Sequence, residues 1–276
     1  MVLPVPSPDD GKMVIEAGRR ISQLWKLISG ILRQNKSRVL LTGMQGVGKT
    51  VLFDYLTGKA YKPNYRPPTE SSKSLDSGRL REAKRVGLHV MPGQDSQPRI
   101  DAALETILGK APPDGIVHVL ANGFATTRGD GSSDVVREMA KLKTVGQYQK
   151  IQRKYEYSEL DEVCRWIGQA HRKARKPAWV ILAVTKYDLF PNELSLVHDE
   201  YFPGGRGGAV KRMEELTRSV GSVNFRWQSA TVCSWLEPFV WKSESVPSQF
   251  TTAQRDTLVE ELGKLILGLC QGGRDT

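Results

Sequence analysis

The eight residues Gly43-Met44-Gln45-Gly46-Val47-Gly48-Lys49-Thr50 constrain the fold more than any other stretch of this chain. Two glycines five positions apart, then lysine and threonine, form the pattern of a loop that wraps phosphate. Each residue type has its own mechanical reason. Glycines let backbone N–H groups turn inward around phosphate oxygens, the lysine adds a point charge, and the threonine hydroxyl suits Mg2+. Such a loop belongs between a buried strand and a helix. Residues 37–42, Ser-Arg-Val-Leu-Leu-Thr, are an apolar run suited to the strand, and Val51, Leu52, Tyr55 and Leu56 recur at helical spacing before Gly58.

Composition narrows what surrounds this loop. A chain of 276 residues that is 39% hydrophobic can bury a sizeable core, as one large domain or two small ones. Cys164, Cys233 and Cys270 are scattered singly, as are His89, His118, His171 and His198. That dispersion offers neither a disulfide framework nor a Cys/His metal site, so Mg2+ carried with a nucleotide is the metal expected. Single cysteines imply a reducing compartment. No stretch approaches 18 consecutive apolar residues, and residues 1–12 are proline-rich without a basic region followed by an apolar one. A cytoplasmic protein is expected. The net charge of +10 is spread through the chain, with concentrations at 33–38, 141–154 and 172–176. Solvated helix faces account for these better than a nucleic-acid groove does.

In chain order, residues 1–12 read as a flexible lead and 13–35 as an amphipathic helix, with Ile21, Leu24, Trp25, Ile28, Ile31 and Leu32 at three- and four-residue spacing. That helix suits its own domain or a partner; its basic flanks leave an anionic membrane surface as the alternative. Further strands are expected at 85–91, 115–121, 179–184 and 222–227. Helices are expected at 100–108, 133–154, 158–176, 209–218 and 251–269, and Ser158-Glu-Leu-Asp161 resembles a capping box. The connection between Ala121 and Ala178 is too long for one crossover helix, which marks a helical insertion at about 123–157. Residues 271–276 form a tail. Alternating strands and helices predict a three-layer α/β fold, a mostly parallel sheet with helices on both faces and the site at the strands' carboxyl ends.

Two further segments stand at such ends. Thr185-Lys186-Tyr187-Asp188 follows the 179–184 strand, and Ser229-Ala230 is expected to close the 222–227 strand. With these loops in order behind the phosphate loop, the chain over 36–270 resembles the P-loop GTPases of the Ras-like superfamily. The resemblance implies a G domain that binds GTP and GDP. Within it, Gly43, Gln45, Gly46, Val47, Gly48, Lys49, Thr50 and Val51 hold phosphates, while Thr185, Lys186 and Asp188 read the guanine base. A carboxylate there can accept from guanine N1–H and its exocyclic amine together, a donor pair adenine lacks, and the lysine stem can cover the base face.

The resemblance also implies that Ser229 and Ala230 support the base, that Thr69, with Ser71 and Ser72 as alternatives, joins Thr50 at Mg2+, and that Gly93 meets the γ-phosphate. Gln94 would orient the attacking water, with Lys49 stabilising the charge that develops. One position departs. Where the family carries aspartate ahead of that glycine, this chain has Val90, and valine cannot support Mg2+ through a bound water. Three readings therefore stand: a GTP-hydrolysing molecular switch, a GTP-binding switch or scaffold with little or no hydrolysis, and an RNA- or ribosome-associated GTPase. A protein effector or activating partner is expected. A homodimer, a membrane surface and RNA remain open as contacts, the protein then being peripheral at a membrane in the second case.

Overall fold

The computed structural model describes residues 37–68, 76–91, 112–126, 134–174 and 176–272. The expected N-terminal helix at 13–35, the helix at 100–108, the lead and most of the tail fall outside them. Strand β1 (Ser37–Thr42) leads through the phosphate loop into helix α1 (Lys49–Leu56). Strands β2 (Asp76–Leu80), β3 (Ala83–Val90), β4 (Gly115–Leu120), β5 (Trp179–Val184) and β6 (Arg226–Thr231) complete a six-stranded sheet in the order β2-β3-β1-β4-β5-β6. Within this sheet, among the described residues, only the β2–β3 pair is antiparallel.

Side chains alternate across the sheet and so divide the core between its faces. Val39, Leu41, Val117, Val119, Ile181 and Ala183 pack with Leu52, Phe53 and Leu56 of α1 and Leu262 and Ile266 of α6 (Thr252–Gly272). Leu40, Ile116, Leu120, Val180 and Leu182 point the other way. They meet helices α3 (Val145–Ala174), α4 (Leu194–Tyr201) and α5 (Gly208–Val220). Strands β4 and β5 are buried at every residue, as expected of parallel strands covered on both faces. The three-layer α/β fold expected from the sequence is therefore the one observed.

Several boundaries differ. Helix α2 (Asp134–Lys141) ends early, and α3 then runs for 30 residues, about 45 Å, so the expected break near 155–157 does not exist. A boundary of the insertion at 157 falls inside α3. Ser158 is not a cap: its hydroxyl donates to the Lys154 carbonyl within the helix at 3.2 Å. The box that opens α3 is Thr144 with Gln147. Gln147 N–H donates to Thr144 Oγ1 at 3.2 Å, and Gln147 Oε1 accepts from the Lys143 and Thr144 N–H groups. Strand β6 lies at Arg226–Thr231 rather than 222–227, because Gly221, with φ of 88°, opens a turn that the Asn224 N–H closes on the Gly221 carbonyl. Val223 is 95% exposed there, not inside a strand. A hairpin of β7 (Phe239–Trp241) and β8 (Glu244–Val246), which the hydrophobic pattern does not announce, braces the α2–α3 junction through Trp241 Nε1, Lys242 Nζ and Glu244 Oε2.

Candidate functional site

The carboxyl ends of β1, β4 and β5 meet along one edge of the sheet, and the phosphate loop begins there. It needs backbone that most residues resist: Gly46 and Gly48 have φ of 80° and 94°. Space excludes a side chain as well. A Cβ on Gly46 would stand 2.0 Å from the Thr126 carbonyl oxygen, and one on Gly43 would stand 2.3 Å from that of Val119. Helix α1 starts at Lys49 with no side chain capping it, and a helix N-terminus of that kind favours an anion. Lys49 is buried, and its ammonium donates to the Gly43 and Met44 carbonyls at 2.5 and 2.7 Å.

A cavity of about 330 Å3 opens beside this loop, lined on one side by 45–51 and on the other by Lys186, Asp188 and Leu189. The architecture is a three-layer α/β P-loop fold. Thr185 is buried behind the cavity and ties its two halves together. Its hydroxyl lies 2.7 Å from the Val47 carbonyl oxygen and 2.9 Å from that of Leu120, sharing one proton between them. Lys186 adopts a left-handed φ of 57° and donates to the Phe124 carbonyl at 2.5 Å and to Thr126 Oγ1 at 2.9 Å.

Asp188 is fully buried. Its Oδ1 accepts from the Cys233 thiol at 3.0 Å, whereas its Oδ2 has no hydrogen-bond partner. Burial, reinforced by the Asp188 carboxylate, pushes the Cys233 thiol up, so it stays a protonated donor. Beneath the phosphate loop the buried His118 ring places Nδ1 3.0 Å from Thr42 Oγ1. Burial, then the Lys49 charge, lowers its pKa to about 3 and keeps it neutral.

The structure thus brings Gln45 to Val51, Lys186 and Asp188 to one cavity, with Gly43 and Thr185 in contact behind them. It does not bring Ser229 and Ala230. Both lie within β6, away from the cavity lining, and the Ser229 hydroxyl donates to the Tyr201 carbonyl at 2.5 Å. The displaced β6 puts Cys233, Ser234 and Trp235 where the Ser229-Ala230 loop was expected, and Ser234 and Trp235 line the cavity. The dipeptide Cys233-Ser234 was a readable signal once the strand is correctly placed. Thr126, Pro67, Pro68 and Phe239 also line the cavity and carry no motif. Thr69, Gly93 and Gln94 lie outside the described residues. Among the described residues no group of three or more His, Cys, Asp or Glu could hold a metal unaided. Thr50 lines the cavity, and a single hydroxyl ligand fits an ion that arrives with phosphate oxygens of its own.

No protein-family model matches the chain, and no curated protein matches it. Solved structures do. Against S. thermophilus NFeoB bound to GDP.AlF4- the TM-score is 0.44 at 14% identity, over 85% of this chain and 63% of that one. A probable GTP-binding protein engB gives a TM-score of 0.44 at 15% identity, over 86% of this chain and 100% of that one. Toc33 from Arabidopsis thaliana, a dimerization deficient mutant, gives 0.41 at 11% identity, over 94% and 93%.

Proposed function

We propose that the chain binds GTP and GDP in the cavity between the phosphate loop and the Thr185–Asp188 segment, and that it hydrolyses GTP to GDP and phosphate as a molecular switch. The observation that carries this reading is the Asp188 carboxylate. Its Oδ2 is buried without a partner beside a cavity that Lys49 and Lys186 also line. A buried carboxylate oxygen left unpaired is costly, and a ligand donor removes that cost. Guanine presents N1–H and its exocyclic amine on one edge, whereas adenine has no such pair.

In this reading Lys49 exchanges the Gly43 and Met44 carbonyls for β- and γ-phosphate oxygens, and the Lys186 stem covers the base. The Thr50 hydroxyl and, by resemblance, that of Thr69 would hold Mg2+, which would neutralise phosphate charge. Gln94 orients the attacking water, and Gly93 donates its N–H to the γ-phosphate.

Calorimetric titration of the full chain with GTP, GDP and ATP, with and without Mg2+, tests the binding half. Guanine nucleotides are expected to bind at least about tenfold more tightly than ATP, the effect of one hydrogen bond to a charged group. Equal affinity for ATP refutes the base assignment. Asp188→Asn is expected to trade guanine for xanthine nucleotides, and unchanged GTP affinity would sink the role of that carboxylate.

Val90 favours a second reading, binding with little hydrolysis. It ends β3 at 2% exposure, packed with the apolar face that α1 covers. Phosphate release that stays at background in wild type and rises in Val90→Asp supports this reading; wild-type turnover that Gln94→Ala abolishes supports the first.

A further inference from the structure

Helix α3 buries one face, and along it the residues at four-residue spacing run Tyr148, Gln152, Glu156, Leu160. Two polar side chains in the middle of an apolar stripe need partners. Glu156 finds them in the loop that follows β4. Its Oε1 accepts from the Ala121 and Gly123 N–H groups at 2.9 and 3.2 Å, and its Oε2 accepts from Gly123 at 3.2 Å. The loop needs such an anchor, because Asn122 and Gly123 both have positive φ, 50° and 81°. Neighbours add to it. Gln149 Nε2 donates to the Asn122 carbonyl at 3.0 Å, the Tyr201 hydroxyl to Asn122 Oδ1 at 3.2 Å, and the Tyr148 hydroxyl to the Ala125 carbonyl at 2.5 Å.

The far end of the same loop touches the cavity. Thr126 N–H donates to the Gly46 carbonyl at 3.1 Å, and Lys186 donates to both the Phe124 carbonyl and Thr126 Oγ1. One short segment therefore links a buried carboxylate to both the phosphate loop and the base-reading lysine. We propose that Glu156 is a positioning residue for the nucleotide cavity, its carboxylate fixing loop 121–126 and, through it, Gly46 and Lys186. This rests on the guanine-nucleotide reading of that cavity.

The charge on Glu156 matters because two N–H groups converge on it. A protonated carboxyl keeps one good acceptor, but its O–H would face the Gly123 N–H, donor against donor. The groups that face Glu156 are Arg153 and Tyr157 on α3, Lys186 after β5, and Tyr201 on α4, with Glu200 held on the Tyr157 hydroxyl. Burial pushes Glu156 up to about 7, opposed by the Ala121 and Gly123 N–H groups and then by Arg153 and Lys186. The anchor accordingly changes charge between pH 6 and 8.

Two measurements on the full chain test this. In the nucleotide-free wild type, the amide NMR shifts of Ala121 and Gly123 are expected to titrate together with a midpoint near 7, and not to do so in Glu156→Gln. Ala121 and Gly123 shifts that are the same in wild type and in Glu156→Gln at every pH overturn the proposal. GDP affinity measured at pH 6 and pH 8 forms the second test. Its phosphates titrate in the same range, so the ratio in Glu156→Gln sets the background. Wild type is expected to lose about fivefold more than the variant on going to pH 6, as a charge-assisted hydrogen bond becomes an ordinary one. Equal ratios overturn the positioning role while leaving nucleotide binding intact; a wild type that binds no guanine nucleotide at either pH overturns both.

Discussion

The Cys233 thiol donates to Asp188 Oδ1 at 3.0 Å and so decides which carboxylate oxygen is left for a ligand. A serine keeps a donor at that position, whereas a valine removes it and is slightly larger than cysteine. Cys233→Ser is therefore expected to bind GDP within about twofold of wild type, and Cys233→Val about tenfold more weakly, the loss of one hydrogen bond to a charged group. Equal GDP affinity in Cys233→Val by calorimetry would show that the thiol does not orient Asp188. At Gly46 the constraint is steric. A methyl group would stand 2.0 Å from the Thr126 carbonyl oxygen, and φ of 80° disfavours any side chain. Gly46→Ala is expected to abolish measurable nucleotide binding, because backbone on both sides must move; binding within threefold of wild type would refute that. The Thr126 N–H bond to the Gly46 carbonyl couples the loop anchored by Glu156 to the phosphate loop, so Gly46→Ala and Glu156→Gln act on one linkage.

Helices α3 and α6 show what is legible at the scale of an element. Both open on Thr-x-x-Gln: Thr144 with Gln147, and Thr251 with Gln254, where Gln254 N–H donates to Thr251 Oγ1 at 3.3 Å and the Thr251 N–H to Gln254 Oε1 at 2.8 Å. The rival signal at Ser158-Glu-Leu-Asp161 fails because a hydroxyl inside a helix can bond back to the carbonyl four residues earlier. Denaturation with urea separates the two: Thr144→Ala is expected to lose about 1 kcal/mol, an N-cap's worth, and Ser158→Ala to change by no more than about 0.5 kcal/mol, as surface substitutions do. The reverse order would restore the break in α3. Strands follow the same logic. The buried runs of β1, β4 and β5 were readable as predominantly apolar stretches, since both faces are covered. Edge strands β2 and β6 were not, because half of each faces solvent and Asp76–Leu80 contains serine, glycine and arginine. That single difference explains the site. The phosphate loop and Thr185–Asp188 follow buried strands and were placed correctly, whereas Ser229-Ala230 depended on an edge strand that starts four residues late. The cavity's Thr126 and Phe239 carry no pattern because tertiary folding alone brings them there.

Among the described residues, three buried titratable groups make the fold's stability depend on pH, and they pull in opposite directions. His118 and His89 are held neutral, with pKa values lowered to about 3 and about 4, chiefly by burial, with smaller contributions from Lys49 and Arg38 respectively. Their folded values lie below the unfolded value, so below pH 6.5 the unfolded chain takes up two protons that the folded chain does not. Glu156, raised to about 7 from 4.5, does the reverse. Between those values the folded chain holds a proton that the unfolded chain has released. From pH 6.5 down to about 4.5 the unfolded chain therefore binds a net one proton more, and stability is expected to fall by about 1.4 kcal/mol per pH unit. Near pH 7 the protons still held by the unfolded histidines and by folded Glu156 balance, and above it stability is nearly level. These three groups place a shallow maximum near pH 7. His89→Asn, which can keep a hydrogen bond to Ser77, removes one of the two histidine protons and is expected to flatten the slope to near zero between pH 5 and pH 6. Glu156→Gln removes the opposing proton and is expected to steepen it to about 2.8 kcal/mol per unit. Urea denaturation of wild type and both variants at those two pH values measures the slopes. A wild-type slope unchanged by either substitution would mean that these side chains do not hold their buried protonation states, and a change of the wrong sign in Glu156→Gln would mean that the carboxyl is already ionised at pH 5.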